Sequence, residues 1–378
     1  MSQLFQDLST SWLENSARIL DGFRRGAMEP YPVQEDPAPV TPYQVIYEGG
    51  KTSLRYYRAI GKPHTTPLLI VYALIKRPFI LDLQPELSVI KNLTQQGFEV
   101  YLLDWIPPTQ ADTWRGFDAY VNGDLANAVR AVQTHSDAKQ VSLLGYCFGG
   151  LLSTMYTALH PETVKNFIPL SVPLDMSKED IAIFNLMKTL DPNLVTGVFG
   201  NCPTWIMKMA FSAMSPVHHL LNKHVGLYRN RDRVGYAATF ALFERWMNSD
   251  VPLAGQIFRE VTSDIFRNNR LAQGTLTVGG QRVDLKNIRC PVLNVVGEYD
   301  DVVHPQASLA LVDLIGSRHK QNLVFPAGHI GVVVSSSAQK HLWPQIGSWL
   351  KKHDRKPRAE RKVPVTVQAA PQNATTLQ

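Results

Sequence analysis

Cysteine is scarce in this chain: three residues in 378, at positions 147, 202 and 290. They are too few and too scattered for a disulfide framework. None forms a CxxC pair, which argues against a structural zinc site. That usage points to a reducing, cytoplasmic setting. Long apolar runs are also missing. The strongest, Leu68 to Ile75, falls far short of the ~20 residues a membrane-spanning helix requires, so no transmembrane segment is expected. The first twenty residues carry acids and polar groups where a signal peptide needs an unbroken apolar stretch. Strong net charge is absent too. The formal +6 is low for a nucleic-acid binder of this size, and it sits largely in residues 351–378, with seven Lys/Arg against two acids. The first 350 residues hold 31 basic and 30 acidic side chains and are nearly neutral. No internal repeat is visible. What is present is a 44% apolar composition, that of a globular protein with a real core.

The apolar pattern divides the chain. Residues 3–27 place Leu4, Leu8, Trp12, Ile19, Leu20 and Phe23 on one helical face, and a Pro-rich stretch follows, so 1–40 reads as an amphipathic helix and linker. Tyr43–Tyr47 and Thr52–Tyr57 flank Gly49-Gly50 as a hairpin. Buried strands are then expected at 67–73, 98–105, 140–145 and 166–172, separated by helices near 84–96, 116–134 and 148–160. Continuous apolar strands alternating with helices predict a mainly parallel sheet of about eight strands, covered on both faces. The rhythm stops near residue 175. Residues 176–285 read as a helical cap inserted between the sixth and seventh strands, with TLTVGGQRV near its end. It resumes with strands at 290–297 and 322–328 and helices near 305–316 and 337–352. The α/β core is therefore 41–175 plus 286–352, and 353–378 reads as a disordered basic tail.

One motif carries chemistry by itself. Gly145-Tyr146-Cys147-Phe148-Gly149-Gly150 closes a predicted strand and opens a predicted helix, the context of a nucleophile elbow with Cys in the place of the usual Ser. The turn forces its central residue into a strained conformation, and glycine on either side avoids the clashes that follow. At a helix N-terminus the dipole and free N–H groups favour a thiolate, and the Phe148 N–H is placed to bind an oxyanion. A buried structural cysteine would leave those glycines unexplained.

Such a nucleophile needs an acid and a histidine after it in the chain. Asp300 follows the seventh strand and His329, between Gly328 and Gly331, follows the eighth. Asp301 competes with Asp300 by position. His304, His319 and His341 are rivals to His329, although His341 falls in the closing helix and His319 precedes a strand. The second oxyanion donor is expected from the loop after the third strand, at Tyr72 or Ala73, and Lys76-Arg77-Pro78 beyond it reads equally well as a plain turn. Cysteine also narrows the reaction. A thiolate attacking a thioester makes another thioester, still activated, which can pass its acyl group downhill to a hydroxyl. That favours acyl transfer from a thioester such as an acyl-CoA over simple ester hydrolysis.

At these residues the sequence resembles the catalytic subunit of class III poly(3-hydroxyalkanoate) synthases, an α/β-hydrolase-superfamily group. The resemblance spans roughly 40–350 and is carried by GYCFGG together with VYALIKRPFILDL (71–83), YLLDWIPP (101–108), FERWMNSDVPLAGQIFREV (243–261) and AGHIG (327–331). One departure is local: Asp301 follows Asp300, and His304 stands where the family usually has Pro. The resemblance implies polymerisation of (R)-3-hydroxyacyl-CoA, chiefly 3-hydroxybutyryl-CoA, through an acyl-Cys147 thioester. His329 would be the base and Asp300 its orienting partner or an activator of the attacking hydroxyl. It implies no metal and no bound cofactor, since coenzyme A is part of the substrate. It also implies a non-catalytic partner subunit, a dimer or larger assembly, and a place at the polymer granule surface. The basic group Lys223, Arg229, Arg231 and Arg233, with His218, His219 and His224 nearby, is a candidate for the CoA phosphates; a solvated face is the plainer reading. Two competing functions are a Cys-dependent α/β hydrolase such as a thioesterase or dienelactone-hydrolase-like enzyme, and a non-catalytic granule-coating protein.

Overall fold

A chain that places short, largely apolar runs between helices has to bury both faces of each run. In the computed structural model, which describes residues 36–179, 181–214 and 236–354, those runs form the middle of one eight-stranded sheet. Its strands are β1 (Gln44–Gly49), β2 (Thr52–Tyr57), β3 (Leu68–Val71), β4 (Val100–Trp105), β5 (Val141–Tyr146) and β6 (Val164–Leu170). After a separate two-residue ladder, β7 (Thr277–Val278) with β8 (Gln281–Arg282), come β9 (Val292–Gly297) and β10 (Lys320–Phe325). The order across the sheet is β1-β2-β4-β3-β5-β6-β9-β10. The hairpin β1–β2 and its pairing with β4 are antiparallel, and every other pairing is parallel. Every residue of β3, β4, β5 and β9 is buried, whereas the edge strands β1 and β10 are largely exposed. This is an α/β-hydrolase fold.

The helices depart from the expected spans for local reasons. The predicted helix at 84–96 is a short turn at Pro85–Leu87 followed by Val89–Gln95. The Ser88 hydroxyl caps the second piece by accepting from the Lys91 N–H at 2.8 Å, which fixes its start. The predicted helix at 116–134 opens as a wide turn, Ala119–Leu125, continues as Ala126–Ser136, and ends where Asp137 takes φ 54°. TLTVGGQRV forms the small β7–β8 ladder and adds nothing to the main sheet. The residues between β6 and β9 carry helices Ala182–Thr189, Pro192–Phe199, Thr204–Met214, Tyr236–Met247 and Gly255–Glu260, the last continuing as a wide turn to Arg267. Within this insertion Trp246 and Phe258 are core side chains, and Trp205 is half-buried.

The expected start of the tail at 353 is corrected. The closing helix Trp343–Asp354 includes His353 and Asp354, because Asp354 has partners. Its carboxylate accepts from the Thr65 N–H and hydroxyl at 3.0 Å each and from the Thr66 hydroxyl, and it lies 3.4 Å from Lys165 Nζ. The expected 3–27 helix and the rest of the tail lie outside the described residues.

Candidate active site

Strand β5 delivers Tyr146 into the centre of the sheet, and the next residue turns the chain. Cys147 has φ 53° and ψ −121°, and the helix Phe148–Leu159 begins immediately after it. Its N–H bonds the Leu170 carbonyl at 2.9 Å and its carbonyl accepts from Leu151 at 3.1 Å, so both sides of the strained residue are held. The flanking glycines are required by close approach. A Cβ on Gly145 would sit 2.6 Å from the Gly150 Cα. One on Gly149 would sit 2.7 Å from the carbonyl carbon of Tyr72, and closer still to the carbonyl oxygens of Val71 and Tyr72. Cys147 is half-buried at this elbow. By contrast Cys202 lies in the core, where burial pushes its thiol up, and burial pushes Cys290 up to about 12.

The candidate acid and base meet here from two other strands. His329 Nδ1 lies 2.8 Å from Asp300 Oδ2. Asp300 Oδ1 accepts from the Val302 and Val303 N–H groups at 3.0 and 2.8 Å, so both carboxylate oxygens are engaged in a side chain that is 1% exposed. Asp301, its competitor by position, is exposed. Among the rival histidines, His304 caps the helix after the acid loop by accepting from the Gln306 N–H, and His319 and His341 are exposed. Burial alone would lower the His329 pKa. The charges of Asp300 and Cys147, with hydrogen bonds to both, outweigh it and hold the imidazole well above its ordinary value. The structure thus brings Cys147, Asp300 and His329 together from the ends of β5, β9 and β10, leaving His329 Nε2 as the ring nitrogen not committed to Asp300.

The loop after β3 lies against the elbow. Trp105 Nε1 donates to the Tyr72 carbonyl at 2.8 Å in a buried hydrogen bond. Because the peptide is planar and trans, fixing that carbonyl also fixes the Ala73 N–H on the opposite side. Burial, chiefly, raises the Tyr72 phenol well above its ordinary pKa; Trp246 opposes the shift by hydrogen bonding and the charge of Cys147 adds to it. The Lys76-Arg77-Pro78 stretch is a brace, not a plain turn. Lys76 Nζ pairs with Asp250 at 2.7 Å, Val251 N–H bonds the Ile75 carbonyl at 3.1 Å, and Trp246 Nε1 bonds the Arg77 carbonyl at 3.0 Å. Arg77 in turn pairs with Asp36 at 2.9 Å and with Asp104 at 3.2 Å. The loop is therefore held by the insertion on one side and by the segment before β1 on the other.

Three contributors escaped the sequence reading. Trp105, in YLLDW, holds the loop. Glu179 joins the insertion to the acid loop by accepting from His304 N–H at 3.0 Å and Ile181 N–H at 3.3 Å; burial raises its pKa, and those hydrogen bonds and His304 pull it back. Tyr146 stacks on His329 with ring centroids 5.1 Å apart. Its place inside the elbow motif was the one available signal. Lys223, Arg229, Arg231 and Arg233, with His218, His219 and His224, lie outside the described residues. Among the described residues no group of three or more His, Cys, Asp or Glu could hold a metal ion, and no helix is long and apolar enough to cross a membrane.

Comparison with known proteins bears on the family and the fold. The alpha/beta hydrolase fold family matches residues 66–335. The chain is 36% identical to the poly(3-hydroxyalkanoate) polymerase subunit PhaC of Haloferax mediterranei, over 91% of this chain and 70% of that protein. It is 38% identical to the subunit of that name from Allochromatium vinosum, over 82% of this chain and 88% of that one. With the Synechocystis sp. protein the identity is 32%, over 82% and 84%. A lipase structure from Acinetobacter baumannii superposes with a TM-score of 0.50 at 14% identity, covering 83% of this chain and 92% of the other, a likeness of fold alone.

Proposed function

The chain belongs to the poly(3-hydroxyalkanoate) polymerases of the α/β-hydrolase superfamily and is an acyltransferase that synthesises polyhydroxyalkanoate; from that premise we propose that it works through a covalent acyl-Cys147 thioester. The observation that carries the mechanism is His329, held by Asp300 at Nδ1 and lying against the ring of Tyr146, the residue before Cys147 in the elbow. His329 Nε2 takes the thiol proton, and the sulfur attacks the carbonyl carbon of a hydroxyacyl-CoA. The negative charge on the carbonyl oxygen meets the Phe148 N–H, at the first turn of the helix, and an N–H of the Tyr72–Ala73 loop. As the tetrahedral species collapses, the carbon–sulfur bond to CoA breaks. The imidazolium returns its proton to the departing CoA thiolate. The 3-hydroxyl of another unit then gives its proton to His329 and attacks the Cys-bound acyl carbon, forming an oxoester and regenerating the thiol for the next cycle. Each unit added releases one CoA.

Asp300 orients His329 in this scheme. Both its oxygens are already engaged and its side chain is buried, which supports orientation over direct activation of the hydroxyl. The substrate we assign is (R)-3-hydroxyacyl-CoA of short chain, chiefly 3-hydroxybutyryl-CoA. The word subunit in the relatives' names supports a non-catalytic partner, within a dimer or larger assembly at the polymer granule surface in the cytoplasm. The test is incubation with 3-hydroxybutyryl-CoA, following CoA release and polymer together. Both are expected with the unaltered chain and its partner, and both are lost in Cys147→Ala. Stoichiometric soluble 3-hydroxybutyrate with no polymer would refute the scheme and return the reading to a thioesterase.

A further inference from the structure

The loop that carries His329 has one carbonyl its own backbone leaves unclaimed. Val332 N–H bonds Gly328, Val333 and Val334 both bond Ile330, and Ser335 bonds Gly331, so the following turn skips the carbonyl of His329. The Tyr146 hydroxyl takes it, donating at 3.0 Å across 183 positions of sequence. The same phenol ring lies against the imidazole with centroids 5.1 Å apart and planes 30° apart, and Tyr72 backs its other neighbourhood at 5.6 Å. Tyr146 and His329 are both buried, and Tyr146 is bonded in sequence to Cys147.

Asp300 fixes one edge of the imidazole, at Nδ1, and leaves the ring free to pivot about that contact. The backbone beneath is bonded at the Gly328, Ile330 and Gly331 carbonyls, and that of His329 itself is the one its own turn leaves untied. We propose that Tyr146 is a positioning residue, whose hydroxyl and ring lock the His329 loop to the strand that carries Cys147 and so set the distance from Nε2 to the sulfur. Base and nucleophile are then registered to each other through one side chain, independently of the insertion. Nothing here requires Tyr146 to touch substrate. The proposal rests on the assignment of Cys147 and His329 as nucleophile and base.

The experiment uses the full chain with Tyr146→Phe, which keeps the ring and removes the hydroxyl, and Tyr156→Phe as control. Tyr156 is a buried tyrosine further along the same helix as Phe148, whose hydroxyl pairs with Thr163 at 3.0 Å. Three quantities are read in each: kcat and KM with 3-hydroxybutyryl-CoA, the pH–rate profile of Cys147 alkylation by iodoacetamide, and the melting temperature. Tyr146→Phe is expected to lower kcat about tenfold with KM within about twofold, and to displace the alkylation profile to higher pH. Tyr156→Phe should leave kcat and profile in place, with a comparable change in melting temperature. A Tyr146→Phe chain with the unaltered kcat and profile overturns the proposal, whatever its melting temperature. Failure of the underlying assignment looks different: the alkylation profile of the unaltered chain would then be the same as that of His329→Ala.

Discussion

Gly149→Ala adds one methyl group where the elbow helix meets the loop after β3. The new Cβ would lie 2.7 Å from the Tyr72 carbonyl carbon and closer to two backbone oxygens, those of Val71 and Tyr72. Neither can swing aside as a side chain would. Val71 ends a central strand, and the Tyr72 carbonyl is held by Trp105. To reach even a tight contact the loop has to retreat by roughly half an ångström or more, and overpacking of this kind costs about 1–3 kcal/mol. Helix propensity offsets at most part of this, since alanine's advantage of about 1 kcal/mol over glycine holds in a helix interior and Gly149 is the second residue of its helix. The net stability change is therefore modest, about 0–3 kcal/mol, but the displaced peptide carries the proposed oxyanion donor. Misplacement of that order costs a further factor of about 10² in rate, close to 2.7 kcal/mol. CoA release measured by chromatography should show kcat reduced about 10²-fold with KM little changed, in a protein that still melts cooperatively. Gly197→Ala is the matched control, because its Cβ meets nothing within 4 Å; it should keep full activity. Unaltered kcat in Gly149→Ala would refute the argument that this loop is clamped against the elbow and supplies a donor.

Other expectations follow from individual contacts. Asp300→Asn keeps the shape but favours the wrong His329 tautomer, and should lower kcat on the order of 10³–10⁴-fold, whereas Asp301→Asn should stay within about twofold in the same assay. Lys76→Met strands the buried Asp250 carboxylate and should cost about 3–5 kcal/mol in denaturant unfolding, much of which the double variant Lys76→Met with Asp250→Leu should restore. Burial raises the Asp354 pKa, but its bonds to Thr66 and Thr65 and the Lys165 charge outweigh that and lower it from 3.8. A depressed acid pKa contributes stability that is present above 3.8 and lost as pH falls through the folded value. Asp354→Asn should therefore melt lower than the unaltered chain near neutrality, by an amount that shrinks below about pH 4.

The central strands were legible because each is a short, mostly apolar run, and burial on both faces is what such a run demands. The elbow was legible because three glycines crowd one backbone turn, a local requirement. Local patterns failed where a single group sets a boundary. Ser88 starts a helix with its hydroxyl, and Asp137 ends one by turning left-handed. At β10 the first residues, Lys320 and Gln321, are polar because the strand is an exposed edge, so apolarity marked its start two residues late. Asp300 and His329 were placed by chain order, which narrowed the choice from Asp301 and three other histidines without settling it; the 2.8 Å contact between them is a property of the folded chain. Tyr146, Trp105 and Glu179 depend on partners distant in sequence, and nothing in their immediate neighbours announces those partners.

The central claim is that Cys147 carries the growing acyl chain. Its most direct test is mass spectrometry of the protein quenched in acid during turnover with 3-hydroxybutyryl-CoA, followed by peptide mapping. One or more hydroxybutyryl units are expected on the peptide containing Cys147, released by hydroxylamine and absent from Cys147→Ala. Polymer made by a protein whose acyl label lies on any other residue, or made undiminished by Cys147→Ala, would contradict it.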